Sequence, residues 1–212
     1  MCIRIKPDNR IEVLAPNHIS KADISSFVIS KRQWIEKKQA FNCHVRTPYQ
    51  AKHFIDGESF KLLDQDYTLQ LTSSQEPRAM SAAGLLQVSL ADIGDKQAIR
   101  KLIESWYQQQ AQELLTSLCA SCSRDIGVQA ASVGIKSYRS RWGSCHHDGR
   151  IYFNWRIIMA PESVVRYVVI HELCHLLHAN HSRAYWQTVE SFMSDYRHSK
   201  AWLNIHGLGL AL

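Results

Sequence analysis

The sequence has no apolar run approaching the roughly 20 residues of a membrane-spanning helix, so no membrane partner is expected. Its N-terminus, MCIRIK, lacks the apolar core of a secretory signal peptide, and we therefore expect a cytoplasmic protein. There is also no internal repeat and no low-complexity tract. With 45% hydrophobic and 21% charged residues, the composition is typical of an ordinary soluble globular protein.

The sequence also lacks the cysteine spacing of a disulfide-bonded scaffold and the basic block of a nucleic-acid-binding arm. The six cysteines are scattered rather than set at the spacings of a small disulfide-bonded scaffold, which favours reduced thiols. Cys119 and Cys122 form a lone CxxC, which is weak support for zinc or redox chemistry. The net charge of +6 is modest, and no basic block is long enough to indicate nucleic-acid binding.

The motif that stands out is His171-Glu172-x-x-His175. On a helix with about 100° per residue, His171 and His175 lie only about 40° apart, so both imidazoles can bind one metal ion. Glu172 lies beside that face of the helix, where it can take a proton from water activated by the metal. The spacing therefore predicts two metal ligands and a general base.

A catalytic zinc site uses three protein ligands and leaves a fourth position for water. We predict that His181 is the third ligand, because a helix ending between Leu177 and Asn180 would let the chain turn back to the ion. Asn180 tolerates the left-handed conformation that such a turn uses. Glu190, on the following helix, is the alternative third ligand.

The hydrophobic pattern predicts short strands interspersed with helices. Strands are predicted at 2–6, 10–14, twice within 54–71, and at 85–90, 131–139 and 150–158. The first two are predicted to form a hairpin around Pro7-Asp8-Asn9. One helix is predicted to begin at Ser20 and run to about Gln39. A second is predicted to begin at Asp95, run to about Arg124 and stop near Gly127, and a third to begin at Pro161. Residues 73–84 are predicted to form a mobile loop.

These elements suggest a division of the chain. We expect residues 1–94 to form an N-terminal β-rich region with one helix, packed on the rest. Residues 95–212 would form the metal-binding catalytic region, and 1–212 would make one compact unit.

Several segments together resemble the YgjP-like metal-dependent hydrolases, which are relatives of the WLM zinc peptidases. The matching segments are Arg141-Trp-Gly-Ser-Cys145, residues 151–154, Ala160-Pro161, residues 167–177 around the HExxH motif, and Asn180-His-Ser182 with Tyr185-Trp186. Residues 30–35 and 54–60 also agree, so the resemblance covers nearly the whole chain. Tyr185 stands where the family more usually has Phe.

The resemblance implies an α+β fold: a zincin-like metallopeptidase domain with a mixed or antiparallel sheet, an HExxH active-site helix and an N-terminal strand–helix–strand region. It also implies that His171, His175 and His181 hold the ion. Glu172 would be the catalytic base.

The function predicted first is a zinc-dependent metallopeptidase, with another divalent metal as an alternative ion, that acts on peptide or protein substrates. A zinc-activated water would attack the carbonyl, with Glu172 as general base. Arg141, His178 and Tyr185 are the candidate substrate contacts or oxyanion donors. The strand at 152–156 could pair with an extended peptide if it lies at a sheet edge, or could be sheet interior.

Two other functions stay open. A metal-dependent phosphohydrolase could cleave nucleoside triphosphates if Arg139 and Arg141 neutralise the phosphates, with magnesium or manganese as the ion. Three histidines argue against such a hard cation. A non-catalytic binding module stabilised by zinc is the third function, although a purely structural site has no use for Glu172.

Overall fold

The computed structural model describes residues 1–6, 10–36, 39 and 51–212. The chain divides into two compact units, Met1–Tyr49 and Gln50–Leu212. The division predicted at residues 94 and 95 stays a prediction about domain organisation. Among the described residues, no helix combines the length and the apolar character that crossing a bilayer requires.

The first unit contains the predicted N-terminal hairpin. Strands β1 (Cys2–Ile5) and β2 (Ile11–Leu14) pair antiparallel, with Cys2 opposite Leu14. The predicted turn residues, Pro7-Asp8-Asn9, lie outside the described residues.

The helix predicted after Ser20 begins as expected but is shorter. In α1 (Lys21–Ser30) the Ser20 side chain accepts a hydrogen bond from the Asp23 backbone N–H at 3.1 Å. The prediction that this helix runs to about Gln39 is wrong, because α1 ends at Ser30 and residues 32–36 form a separate helical stretch. The Ser30 hydroxyl donates to the Phe27 carbonyl, an interaction that competes with helical backbone bonding.

The second unit begins with a four-stranded mixed sheet in the order β3-β4-β6-β5. Its strands are β3 (Ser59–Leu62), β4 (Gln65–Ser73), β5 (Arg78–Ala82) and β6 (Leu85–Leu90). Strands β4 and β6 are parallel and the other pairs are antiparallel. The prediction of a mobile loop at 73–84 is wrong. Ala83 and Gly84, both with positive φ, make a tight turn that pairs β5 with β6.

A long helix, α2 (Lys96–Ile126), follows and confirms the prediction at both ends. The Asp95 side chain accepts a hydrogen bond from the Ala98 N–H, and Gly127 ends the helix in the left-handed conformation at φ +77°. The helix packs against the second sheet and against the helix that carries the HExxH motif.

The second sheet has three strands in the order β7-β9-β8. They are β7 (Ser132–Lys136), β8 (Gly143–Cys145) and β9 (Arg150–Asn154). Strand β9 is parallel to β7 and antiparallel to β8, so it is the central strand. The idea that residues 152–156 offer an open edge is therefore wrong, since an outer strand is needed for that role and β8 is one.

Three helices complete the unit: α3 (Glu162–Cys174), α4 (Arg183–Phe192) and α5 (Tyr196–His206). Short 3-10 helices occupy Trp155–Met159 and Gly207–Gly209, so the strand predicted at 150–158 ends at Asn154. Pro161 is the N-cap of α3 rather than its first helical residue. Helices and mixed sheets in one chain confirm the α+β class, with α3 buried at the centre of the second unit.

Candidate metal centre and active site

The predicted histidines come together at the C-terminal end of α3. His171 lies in the last turn of the helix, His175 caps its end, and His181 lies in the loop before α4. One ligand nitrogen from each ring lies within 4.8 Å of the other two. Among the described residues, this is the one group of three or more histidine, cysteine or acidic side chains arranged to hold a metal ion.

The ring orientations suit a shared ion. The Nε2 atoms of His171 and His181 are 3.1 Å apart. Two nitrogens bound to one tetrahedral zinc at 2.0–2.1 Å would be separated by about 3.3 Å. His175 Nδ1 lies 3.1 Å from the His178 carbonyl oxygen, which can only accept, so Nδ1 carries the proton and Nε2 keeps its lone pair for a metal.

The protonation states also fit a metal. Burial, reinforced by the charges of neighbouring groups, lowers the pKa of His171 to about 3. Burial likewise lowers the pKa of His181. A neutral imidazole is the form that binds metals, so these rings need lose no proton to serve as ligands. Within the described structure, the buried Nδ1 of His171 has no hydrogen-bond partner.

The loop that brings His181 to the helix takes a different route from the predicted one. Helix α3 ends at Cys174 and is followed by turn residues 175–177, rather than continuing to Leu177 or beyond. Asn180 does not have a positive φ, so the left-handed prediction is wrong. Instead its side-chain oxygen and its carbonyl both accept from the Ser182 N–H, at 3.1 and 2.9 Å. The Ser182 side chain then caps α4.

Two of the predicted substrate contacts are engaged within the protein. The Tyr185 side chain is buried, and its hydroxyl donates a 2.9 Å hydrogen bond to the His171 carbonyl. His178 Nε2 lies 2.9 Å from the Thr188 hydroxyl on α4. Both contacts tie α4 to the end of α3, and direct contact of either residue with a substrate stays a prediction.

Aromatic rings surround the three histidines. Tyr185 stacks on His175 with ring centroids 4.7 Å apart, and Trp186 stacks on His181 at 5.5 Å. Trp186 also stacks on Tyr196 of α5 at 5.4 Å. Trp186 was not among the predicted site residues. Only its position in the sequence, directly after Tyr185 and soon after His181, indicated that it could lie beside the histidines.

Glu172 lies on the buried side of α3 with only 6% of its surface exposed. Burial raises the pKa of its carboxyl to about 7, against the opposing effects of the Arg141 charge and a hydrogen bond from the Cys145 backbone. Its carboxylate is therefore held against strand β8.

Gly143 is the reason that β8 can approach so closely. A Cβ at this position would lie 2.5 Å from Glu172 Oε1 and 2.6 Å from its Cγ, distances that no real side chain tolerates. The role of Gly143 was not predicted, although a glycine inside a strand is a known sign of close approach.

Comparison with known proteins decides the family. The family described as YgjP-like, metallopeptidase domain matches residues 1–206. The chain belongs to the YgjP-like family. This assignment confirms the resemblance seen in the sequence and supports a hydrolase of metallopeptidase type that uses a metal ion.

Other comparisons of this YgjP-like chain add little. A search of curated proteins gave no match. Among solved structures, the metallopeptidase zymogen abylysin of Pyrococcus abyssi is 21% identical, with a TM-score of 0.39. The match covers 42% of this chain and 90% of abylysin. A likeness this distant carries no argument about mechanism.

The remaining predicted residues of the YgjP-like chain lie around the cluster or away from it. Arg141 is exposed, with its guanidinium 5.5 Å from the centroid of the Tyr138 ring, and its charge acts on Glu172. Glu190 is ion-paired to Arg197 at 2.6 Å and is not among the converging side chains.

The CxxC pair of the YgjP-like chain is also separate from the metal group. Cys119 and Cys122 are buried free thiols on α2, and burial raises the pKa of Cys119 to about 11. Neither belongs to a metal-binding group of the described residues. Cys43 lies outside the described residues.

Proposed function

We propose that this YgjP-like protein is a zinc-dependent metallopeptidase in which His171, His175 and His181 hold the ion and Glu172 is the general base. The observation that carries the proposal is the approach of three imidazole nitrogens to within 4.8 Å of one another, at the end of the helix that also presents the buried carboxylate of Glu172. A structural zinc site has four protein ligands and needs no base.

The donor set favours zinc over harder cations. Three neutral imidazoles suit Zn²⁺, whereas Mg²⁺ and Mn²⁺ prefer carboxylate and carbonyl oxygens. When bound, zinc would lower the pKa of water and polarise the carbonyl of the scissile bond.

Glu172 provides the proton transfer. Its carboxylate would accept a proton from the attacking water and return it to the amine that leaves. A pKa of about 7, caused mainly by burial, suits a group that must both take up and release a proton near neutral pH. The Cys145 backbone interaction and the close contact with Gly143 hold the carboxylate in one orientation.

Strand β8 offers a place for an extended peptide. The Asn154 N–H donates to the Trp142 carbonyl and the His146 N–H donates to the Arg150 carbonyl, which places these residues in hydrogen-bonded pairs across β8 and β9. By the alternation of an antiparallel ladder, the backbone groups of Gly143 and Cys145 point away from β9. An extended substrate could pair with the Gly143 backbone beside Glu172, as peptides do at open sheet edges.

The test uses purified protein loaded with one equivalent of zinc. It is incubated with a peptide library and, separately, with nucleoside triphosphates. We expect cleaved peptides, their loss on chelation, and a decrease in kcat of at least about 100-fold in Glu172→Gln with zinc retained. Glu190→Gln is the matched control, since Glu190 is ion-paired on the surface of α4.

Two results would contradict the proposal. Full peptide turnover by the zinc-loaded Glu172→Gln variant would show that Glu172 is not the general base. Hydrolysis of nucleoside triphosphates with no peptide cleavage would show that the protein is a phosphohydrolase and not a peptidase.

A further inference from the structure

A lysine that plays no part in the proposed reaction lies close to the three histidines. Lys200 is on α5, and its Nζ lies 3.8 Å from the centroid of the Trp186 ring. Trp186 in turn stacks on His181, with centroids 5.5 Å apart and planes inclined by 22°. The Lys200 ammonium and a predicted metal ligand therefore contact the same aromatic ring.

The charge of Lys200 is not neutralised by a described neighbour. Its side chain is exposed, and no ion pair joins it to a carboxylate in the described parts of the chain.

Arg197, on the same helix, shows the contrast. Its guanidinium also lies over an aromatic ring, 5.0 Å from the centroid of Tyr196, but it is paired with the Glu190 carboxylate at 2.6 Å. Arg197 thus has its anion within the protein. Lys200 is a similar cation, but no carboxylate of the described residues pairs with it.

A positive charge beside a site for a divalent cation opposes metal binding by simple repulsion. That cost is offset when an anionic group binds next to the metal. The contact with the Trp186 ring restricts the flexible lysine, so that less conformational freedom is lost when an anion binds. Arg141 is a second exposed cation, two residues before Gly143 of strand β8, which lies against Glu172.

We propose that Lys200 is a specificity-determining residue that selects peptide substrates with a carboxylate close to the scissile bond. The carboxylate could belong to the C-terminus of the peptide or to an Asp or Glu side chain. The inference rests on the proposed peptidase function and narrows its substrate class.

The experiment begins with a peptide library digested by the zinc-loaded protein, with cleavage sites identified by mass spectrometry. The best-cleaved peptides are then made in matched pairs that differ by one carboxylate. One arm replaces Glu by Gln or Asp by Asn, and the other replaces the C-terminal carboxylate by an amide. The arm in which kcat/KM falls identifies the source of the carboxylate.

Four variants assign the effect to Lys200: Lys200→Met, Lys200→Arg, Lys200→Glu and, as the matched control, Arg197→Met. In the wild type we expect the carboxylate peptide to be preferred by about two- to fivefold, the scale of an exposed charge pair. Lys200→Met should bring this ratio close to one. Lys200→Arg should keep the preference, and Lys200→Glu should reverse it in favour of the neutral peptide of the pair. Arg197→Met should leave the ratio at its wild-type value.

Binding gives a second readout that does not depend on turnover. Fluorescence anisotropy with zinc-loaded Glu172→Gln protein should show the same preference for the carboxylate peptide, and adding Lys200→Met should remove it. High salt should weaken the preference, because the interaction is between exposed charges.

The outcomes separate this inference from the peptidase proposal. Efficient cleavage of both members of every pair, with a ratio near one in the wild type, would overturn the role of Lys200 and leave the peptidase intact. If Lys200→Met lowered kcat/KM for both peptides equally, without a change in their ratio, this result would also overturn the role of Lys200 in specificity and would indicate a structural role. No peptide cleavage by any zinc-loaded protein would overturn both, and nucleoside triphosphate hydrolysis would then indicate that the cations bind phosphate.

Discussion

Gly143 and Glu172 are in such close contact that a single methyl group at residue 143 would lie 2.5 Å from the Oε1 atom of the glutamate. The two residues belong to different elements, β8 and α3, so the contact fixes the distance between the strand and the helix. The position of the proposed general base thus depends on the absence of a side chain on a neighbouring strand.

Gly143→Ala should therefore impair the reaction without removing the metal. The added Cβ must displace the carboxylate or the strand, and a misplacement of about 1 Å can cost on the order of 100-fold in rate. We expect kcat/KM for peptides to fall by about this factor while zinc content stays at one equivalent. Steady-state kinetics and metal analysis of the same preparation measure both.

Gly209→Ala is the control for that experiment. A Cβ there would have no heavy atom of the described residues within 4 Å, and the residue does not have a positive φ. Its activity should match the wild type. If Gly143→Ala kept the wild-type kcat/KM, the position of the Glu172 carboxylate would not depend on its close contact with Gly143.

Loss of one histidine tests the ligand set. His181→Ala should weaken zinc binding by at least about 100-fold, since it removes one of three proposed ligands. Glu190→Ala should not weaken it, because Glu190 is paired with Arg197 away from the cluster. Competition with a chromophoric chelator measures both affinities. If Glu190→Ala weakened zinc binding and His181→Ala did not, Glu190 would be the third ligand.

The buried carboxyl of Glu172 should leave a pH-dependent signature in the metal-free protein. Its pKa in the folded state is raised from 4.5 to about 7, so the folded state holds the proton more tightly than the unfolded state does. Folding stability then falls as pH rises from about 4.5 to about 7, because the buried group must ionise.

Glu172→Gln removes that penalty. At pH 8 the metal-free variant should gain up to about 3 kcal/mol in free energy of unfolding over the metal-free wild type. At pH 5 the difference should be small. Denaturant titrations at the two pH values measure it, with Glu190→Gln as the surface control. A difference that does not change with pH would show that the carboxyl is not buried as described.

Local signals in the sequence predicted the parts of the fold that depend on neighbouring residues. The spacing of His171 and His175 gives their shared face directly from helix geometry. Asp95 and Gly127 marked both ends of α2, because capping side chains and a left-handed glycine act within one turn.

The rest depends on contacts between distant parts of the chain. The order β7-β9-β8 places β9 in the centre, and nothing in residues 150–154 distinguishes a central strand from an outer one. The contact of Gly143 with Glu172 and the approach of Lys200 to Trp186 arise only after the strands and helices have packed. Asn180 was assigned the wrong conformation because its side chain can stabilise a turn in more than one way.

We propose that three imidazoles bind one zinc ion and leave a coordination position for solvent. X-ray absorption at the zinc edge, on protein loaded with one equivalent of zinc, identifies the atoms bound to that ion. We expect only nitrogen and oxygen ligands at about 2.0–2.1 Å, with the multiple scattering of three imidazoles and one further oxygen. A sulfur ligand at about 2.3 Å, or four protein ligands around the zinc, would contradict it.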